Sequence, residues 1–476
     1  MQKILSVIVI AAGAAWAQGQ QAHTPQSLAG VVKLNRAPAS NEVLKVTLPR
    51  PVERTLSNGV KLVIVESHRV PQITFRMMIP SGSLRDPKDM PGVSDATATL
   101  IRLGTKTRSA KEIADTLADL GANVSVASGQ GEASIAVSSL TENFDAALAV
   151  LTDILLNPTF PDDELTKWKT RQLAILEQAK SQPGFLANDV LSKLLYGTDA
   201  RQFTHPTQAS LNQITRDMIV EHYKKYYVPS GELAGISGDI TAADAVTKLN
   251  KAMGAWKGGP VEPVSLPAPA PIKERKTYFI PRPGSVQTLV LIANHAILRN
   301  DPDYLATLVL NRVLGAGPTS RLFRVVREEK GYTYGISSNF SATRYVNHFT
   351  TGTSVRTDVT EPALAEIMKQ FTDLREHAVP ADELADAKSA IIANFALGLE
   401  SSAGVLARWL EQREYGLPAD YWDTYTAKIM AVTAEDVERV AKKYLPVDNA
   451  QIILVGDPTI TQIEKTYGPV ETIKVD

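Results

Sequence analysis

The sequence predicts an α+β protein in which one unit of strands and helices is used twice. Two observations carry this. Ile214–Thr215, Lys224–Lys225–Tyr226 and Gly238–Asp239 recur as Val432–Thr433, Lys442–Lys443–Tyr444 and Gly456–Asp457, each 218 residues later. Pro161 with Asp163–Glu164–Leu165 recurs as Pro380 with Asp382–Glu383–Leu384, 219 residues later. A nearly constant offset across separated segments is the mark of a duplication. Between the repeats, Gly258 to Ile272 carries five prolines spaced by small residues, the composition of a stiff linker. Strands and helices run in separate blocks within each unit. That pattern favours two α/β rolls, each an antiparallel sheet packed with helices, over a doubly wound parallel sheet.

In chain order, Met1–Gln2–Lys3 is a short basic start and Ile4 to Trp16 an apolar run closed by Ala15–Trp16–Ala17. This reads as a secretory signal cut after Ala17, its roughly 13 apolar residues being too short to span a bilayer easily. Residues 18–48, rich in Gln, Ala, Pro and Asn, read as an extended leader. Residues 49–257 form the first expected domain, opening with a hairpin at Asn58–Gly59 between two strand-like runs. Residues 258–273 are the linker and 274–470 the second domain. Thr215 and Thr433 are candidate N-caps, and their helices lead to the apolar strands Leu233–Ile236 and Ile452–Val455. Asp163–Glu164 and Asp382–Glu383 make acidic first turns, which suit the positive end of a helix dipole.

Composition excludes several classes of function. The 476 residues include 50 Lys plus Arg against 51 Asp plus Glu, for a net charge of −1, and no Cys. A balanced chain has no electrostatic footprint for nucleic acid or for an anionic membrane surface. Without cysteine there are no disulfides, thiolate nucleophiles or iron–sulfur clusters. Past the signal no stretch of 18 uninterrupted apolar residues occurs, so no membrane span is expected in the mature chain. The seven histidines are His23, His68, His205, His222, His295, His348 and His377, and no two lie three or four residues apart. No helix can therefore present a His pair to a metal, and neither a phosphate-binding loop nor a Gly-x-Ser-x-Gly elbow occurs. By motif, the chain has no active site of its own.

The stretch Ser81–Gly82–Ser83–Leu84–Arg85–Asp86–Pro87 followed by Pro91 to Thr105 resembles the start of the insulinase/pitrilysin family of zinc peptidases, which includes the mitochondrial processing peptidase. The family pattern is Gly-Ser-x-x-Asp, then Gly-x-x-His-x-x-Glu-His, then Gly-Thr. In the family two His hold a zinc ion and the Glu is general base to its water. The resemblance assigns those positions here to Asp95, Ala98 and Thr99. It puts the third family ligand at Glu177, 78 residues past Thr99 on a helix running Leu165 to Gln178. A lone Glu facing Asp, Ala and Thr cannot build a tetrahedral zinc site. The resemblance thus implies the family fold with a degenerate metal site, Glu177 being read as a solvated or locally paired helix residue. For Asp95 three readings stay open: a mimic of the ligand, a helix cap, or no role.

The second unit keeps a different feature. Leu314–Gly315–Ala316–Gly317–Pro318–Thr319–Ser320–Arg321–Leu322–Phe323, leading into Arg327–Glu328–Glu329–Lys330–Gly331–Tyr332–Thr333–Tyr334–Gly335, is similar to the family's Ser-Arg-Leu-Phe…Arg…Gly-x-x-Tyr segment. Arg321 to Lys330 reads as a helix stopped by Gly331, with Tyr334, Ile336 and Ser338 then alternating on a strand. Arg321, Arg324 and Lys330 read as solvated helix charges. A guanidinium and a phenol are donors that can hold a substrate carbonyl or a developing oxyanion. The resemblance implies catalytic roles for Arg327 and Tyr334 and substrate-binding roles for Gly315, Gly317 and Ser320.

The function implied is that of the zinc-less, substrate-binding subunit of a two-chain metallopeptidase, periplasmic or otherwise exported, acting on peptides or small unfolded proteins. It is expected to work only beside a homologous subunit that carries His-x-x-Glu-His and the zinc; no cofactor is expected in this chain. Substrate is expected to add to a sheet edge, Gly131 to Val137 being either that edge or an ordinary internal strand. The alternative is a non-catalytic scaffold on a degenerate peptidase fold.

Overall fold

The computed structural model describes residues 46–197, 199–229, 233–459 and 463–474. The expected signal sequence and most of the leader lie outside the described residues. Twelve strands form two six-stranded sheets. The first holds β1 (Val52–Thr55), β2 (Lys61–Glu66), β3 (Gln72–Ile79), β4 (Asn123–Ser128), β5 (Ala133–Leu140) and β6 (Leu233–Gly238). The second holds β7 (Lys276–Pro281), β8 (Gln287–His295), β9 (Ile336–Ala342), β10 (Asn347–Arg356), β11 (Gln451–Gly456) and β12 (Val470–Thr472).

Their orders are β1-β2-β6-β3-β5-β4 and β12-β7-β11-β8-β10-β9. Setting aside β1 and β12, the two orders are identical: β6 lies parallel to β2 as β11 does to β7, and the remaining pairs are antiparallel. The duplication read from the sequence is therefore a duplicated topology. Helix Arg216–Tyr226 matches Ala434–Tyr444, and Asp162–Lys180 matches Ala381–Leu397. Thr215 and Thr433 cap the first pair, their hydroxyls accepting from Met218 N and Asp436 N. At the first turn of the sheet, the Leu56 and Gly59 amides bond within the hairpin expected at Asn58–Gly59.

Strand burial follows the layers. β3 buries every second residue, because only one of its faces meets a core. β2 buries four residues in a row. Leu62 and Ile64 enter the core of the first half, while Val63 and Val65 enter that of the second. The second contact is made by helix Ser402–Glu414 of the second half, which lies across β2 and β6. The reverse also holds: helix Pro183–Tyr196 of the first half lies on β8 and β11, packing Leu186, Leu191 and Leu195 against Leu291, Ile453 and Val455. Each half thus lends a helix to the other's sheet. A continuous apolar strand is what such two-sided burial requires.

The linker is not a free tether. Arg201 donates to the carbonyl of Pro267 at 2.6 Å and Arg85 to that of Glu262 at 2.8 Å. Residues Gly131 to Val137 belong mainly to β5, which lies between β3 and β4. They form the internal strand of the two readings; β4 and β9 are the open edges at that end of each sheet. Among the described residues no single helix is long and apolar enough to cross a membrane.

Candidate functional site

In the first half, helix Val93–Leu100 carries Asp95, Ala98 and Thr99, the positions that the resemblance assigns to the metal site. Its start is held from outside. Asp86 accepts from the amides of Gly92 and Ser94, each at 2.7 Å. Burial nonetheless pushes the Asp86 carboxyl up to about 6, with the nearby charge of Asp95 adding to the effect. Asp95 is half-buried, and burial raises its carboxyl too. It makes no hydrogen bond or ion pair among the described residues and lines a cavity of 640 Å³ with Asp86, Ser94, Gln130, Phe203 and His205. Asp95 is therefore not the helix cap; Asp86 does that work.

The other degenerate positions diverge further from a metal site. Ala98 is 1% exposed and packs in the core, where it offers a metal no atom and a proton no base. Thr99 is half-buried beside it. Glu177, on helix Asp162–Lys180, is 64% exposed and pairs with Lys180 at 3.3 Å, the local pairing expected of it. Zinc needs four donors converging on one point, and these four residues do not supply them. Among the described residues, no group of three or more His, Asp or Glu side chains could hold a metal ion.

Sequence reasoning missed His222. It is buried on helix Arg216–Tyr226 with Nε2 at 2.8 Å from Ser81 Oγ, and burial drops it to about 4. A single His on a mostly polar helix carries no local signal of that contact.

In the second half, the loop after helix Tyr304–Leu314 is closed on itself. A side chain at Gly315 would stand 2.3 Å from Ser338 Oγ, and Gly317 turns with φ +130° against the Arg312 guanidinium. Ser320 is buried and donates its hydroxyl to the Gly317 carbonyl at 2.7 Å. These three residues set the loop's shape.

The helix expected over Arg321 to Lys330 is instead π-helical from Phe323 to Glu329, with the Lys330 amide reaching back to the Val325 carbonyl at 3.0 Å. Gly331, at φ +64°, ends it as expected. Arg321 is not a solvated charge. Its Nε and Nη2 meet both carboxylate oxygens of Glu383 at 2.9 and 2.7 Å, tying this turn to helix Ala381–Leu397. Tyr334 departs from the expected alternation: β9 begins at Ile336, whose side chain is buried with that of Ser338, while Tyr334 precedes the strand and is 92% exposed. Arg327 is also exposed, its guanidinium 4.4 Å above the Phe323 ring. Among the described residues no hydrogen bond or ion pair joins the side chains of Arg327 and Tyr334 to each other or to any other group. The fold leaves their donors unused.

Comparison with known proteins agrees with this architecture. The family described as insulinase (peptidase family M16) matches residues 61–206, and the peptidase M16 inactive domain matches residues 213–391. A Bacillus subtilis protein named uncharacterized zinc protease YmxG is 25% identical over 74% of this chain and 86% of its own. One from Helicobacter pylori named non-peptidase homolog YmxG is 24% identical over 84% and 92%. The crystal structure of a peptidase M16 inactive domain from Pseudomonas fluorescens superimposes with a TM-score of 0.80 at 27% identity, covering 86% of this chain and 98% of that one. With two matched domains and a duplicated roll, the chain belongs to peptidase family M16.

Proposed function

We propose that this chain is the zinc-less, substrate-binding subunit of an exported two-chain metallopeptidase that acts on peptides or small unfolded proteins. A homologous partner carries His-x-x-Glu-His and the zinc, and Arg327 and Tyr334 complete its site by holding the substrate carbonyl as charge develops on it. The observation that carries this reading is the unspent pair. Tyr334 is 92% exposed and Arg327 meets only a ring face, so neither is kept for folding. Donors bonded only to water are free to be handed to a group from outside the chain. The open edge of β9 begins two residues after Tyr334, which supports an extended peptide adding there.

The test is turnover by the reconstituted pair with Arg327→Ala or Tyr334→Phe in this chain. Removing one such donor is expected to lower kcat by about 10² to 10³ while the two chains still co-purify. Unchanged turnover with both variants would sink the catalytic role. A scaffold reading draws on the relative named a non-peptidase homolog. It takes over if the tagged chain, pulled down from its native envelope fraction, brings no near-stoichiometric partner with a His-x-x-Glu-His motif.

A further inference from the structure

A cavity of 780 Å³ opens where the two halves and the proline-rich linker meet. Arg54 and Lys61 reach it from β1 and β2, Arg85 from the loop before the degenerate helix, Arg344 from the β9–β10 hairpin and Arg413 from helix Ser402–Glu414. Five basic side chains face three acidic ones, Glu53, Glu132 and Glu414. The acids are largely accounted for. Glu53 is ion-paired with Arg413, Glu132 is not free, and the Glu414 carboxyl, raised by burial, has the charge of Arg344 near it acting in the opposite sense.

The bases are not. Among the described residues no ion pair engages Arg54, Lys61, Arg85 or Arg344. Arg54 and Arg85 each place one N–H on a main-chain carbonyl, at 2.8 Å in both cases, and the Nε of Arg85 is buried without a partner. The cavity wall is stiff. Buried Arg201 fixes the Tyr345 carbonyl at 3.3 Å and the Pro267 carbonyl at 2.6 Å. Gly131 lets the two hairpins touch, since a side chain there would stand 2.4 Å from the Tyr345 ring. Basic side chains gathered around one concave space favour an anion, because their like charges, with few acidic partners, raise the positive potential there.

We infer that this interdomain cavity binds a small ligand bearing a carboxylate or a phosphate, its oxygens held by Arg54, Lys61 and Arg344 with Arg85 behind them. The volume lies within the range of ordinary small-molecule sites, and guanidinium groups bind either oxyanion in the same two-pronged way. The site is separate from Arg327 and Tyr334 and does not depend on peptidase activity.

The test is titration calorimetry on the full mature chain with inorganic pyrophosphate and, separately, citrate. At least one probe is expected to bind at one site per chain and to weaken as salt is raised; which one binds tells a phosphate ligand from a carboxylate ligand. Arg54→Gln with Arg344→Gln is expected to weaken binding by about ten-fold or more, two charge-assisted contacts being lost. Both residues are exposed, so melting without ligand should not move, and Lys61→Gln provides a second, single-site variant. Arg324→Gln, on an outer turn, should bind as the parent does. Absence of binding by both probes at millimolar concentration, or unchanged affinity in the double variant and in Lys61→Gln, overturns the inference.

Discussion

Tyr196, the last residue of a helix from the first half, holds its hydroxyl 2.9 Å from Nδ1 of His348 on β10 of the second half. His348 stands opposite His295 in the β8–β10 ladder, and burial together with His295 keeps it uncharged down to about 4. His222, buried against Ser81, is depressed to the same value by burial and by the charges of Arg85 and Lys225. Two imidazoles that fold as neutral groups make stability depend on acid.

The sign follows from proton counting. Between the ordinary histidine value of 6.5 and about 4, the unfolded chain binds protons that the folded chain refuses. The contribution of His222 is complete above 6.5 and is lost as the pH falls toward 4, amounting to on the order of 3 kcal/mol. His222→Gln is therefore expected to destabilise the chain most near neutral pH, with the gap to the parent closing in acid. Urea unfolding of both proteins near pH 7 and near pH 5 checks this; a gap that stays constant with pH would refute it. Asp86, raised to about 6, works in the opposite sense, which is why the variant's difference rather than the parent's own curve is the readout.

The Arg321–Glu383 bridge joins the π-helical segment to helix Ala381–Leu397 with side chains only 12% and 22% exposed. Replacing either residue by Ala is expected to cost about 1–3 kcal/mol, because the partner is left half-buried and unpaired. Replacing both should cost less than the sum of the single losses. A double-mutant cycle in denaturant measures the difference, and strict additivity would count against a direct pair.

Tyr334→Ala and Arg327→Ala are expected to leave unfolding free energy within about 0.5 kcal/mol of the parent, as surface changes away from any buried contact do. A large loss in either variant would mean that the fold uses these side chains after all.

Ala98→Glu, the change that returns a general base to the degenerate helix, is expected to destabilise by about 2–4 kcal/mol. It forces a carboxylate into a packed core position. With Asp95→His and Thr99→His added, the protein should still hold less than one zinc per chain by elemental analysis, since Glu177 is turned to solvent beside Lys180. Stoichiometric zinc in the triple variant would show the site to be far less remodelled than its geometry indicates.

Much of the fold was legible because it is written locally. Thr215 and Thr433 cap because a hydroxyl can reach an amide three residues on. Gly331 ends its segment because it turns left-handed. The π register at Phe323–Glu329 was not legible, since the same residues suit an α-helix, and the distinction lies in which carbonyl the Lys330 amide meets. Nor was the pairing of Arg321, whose partner Glu383 lies 62 residues away.

By itself, then, the sequence determined the duplication, the helix caps and the replacement of the family's His, Glu and His by Asp95, Ala98 and Thr99. Each follows from residue identity or from spacing along one element. The tertiary structure alone decided that β5 is internal and β4 and β9 are edges, and that each half covers the other's sheet with a helix. It also decided which polar groups are spent, as in Ser320 and Arg321, and which are left free, as in Arg327 and Tyr334. Those outcomes depend on contacts between residues far apart in the chain, and no local pattern names the partner.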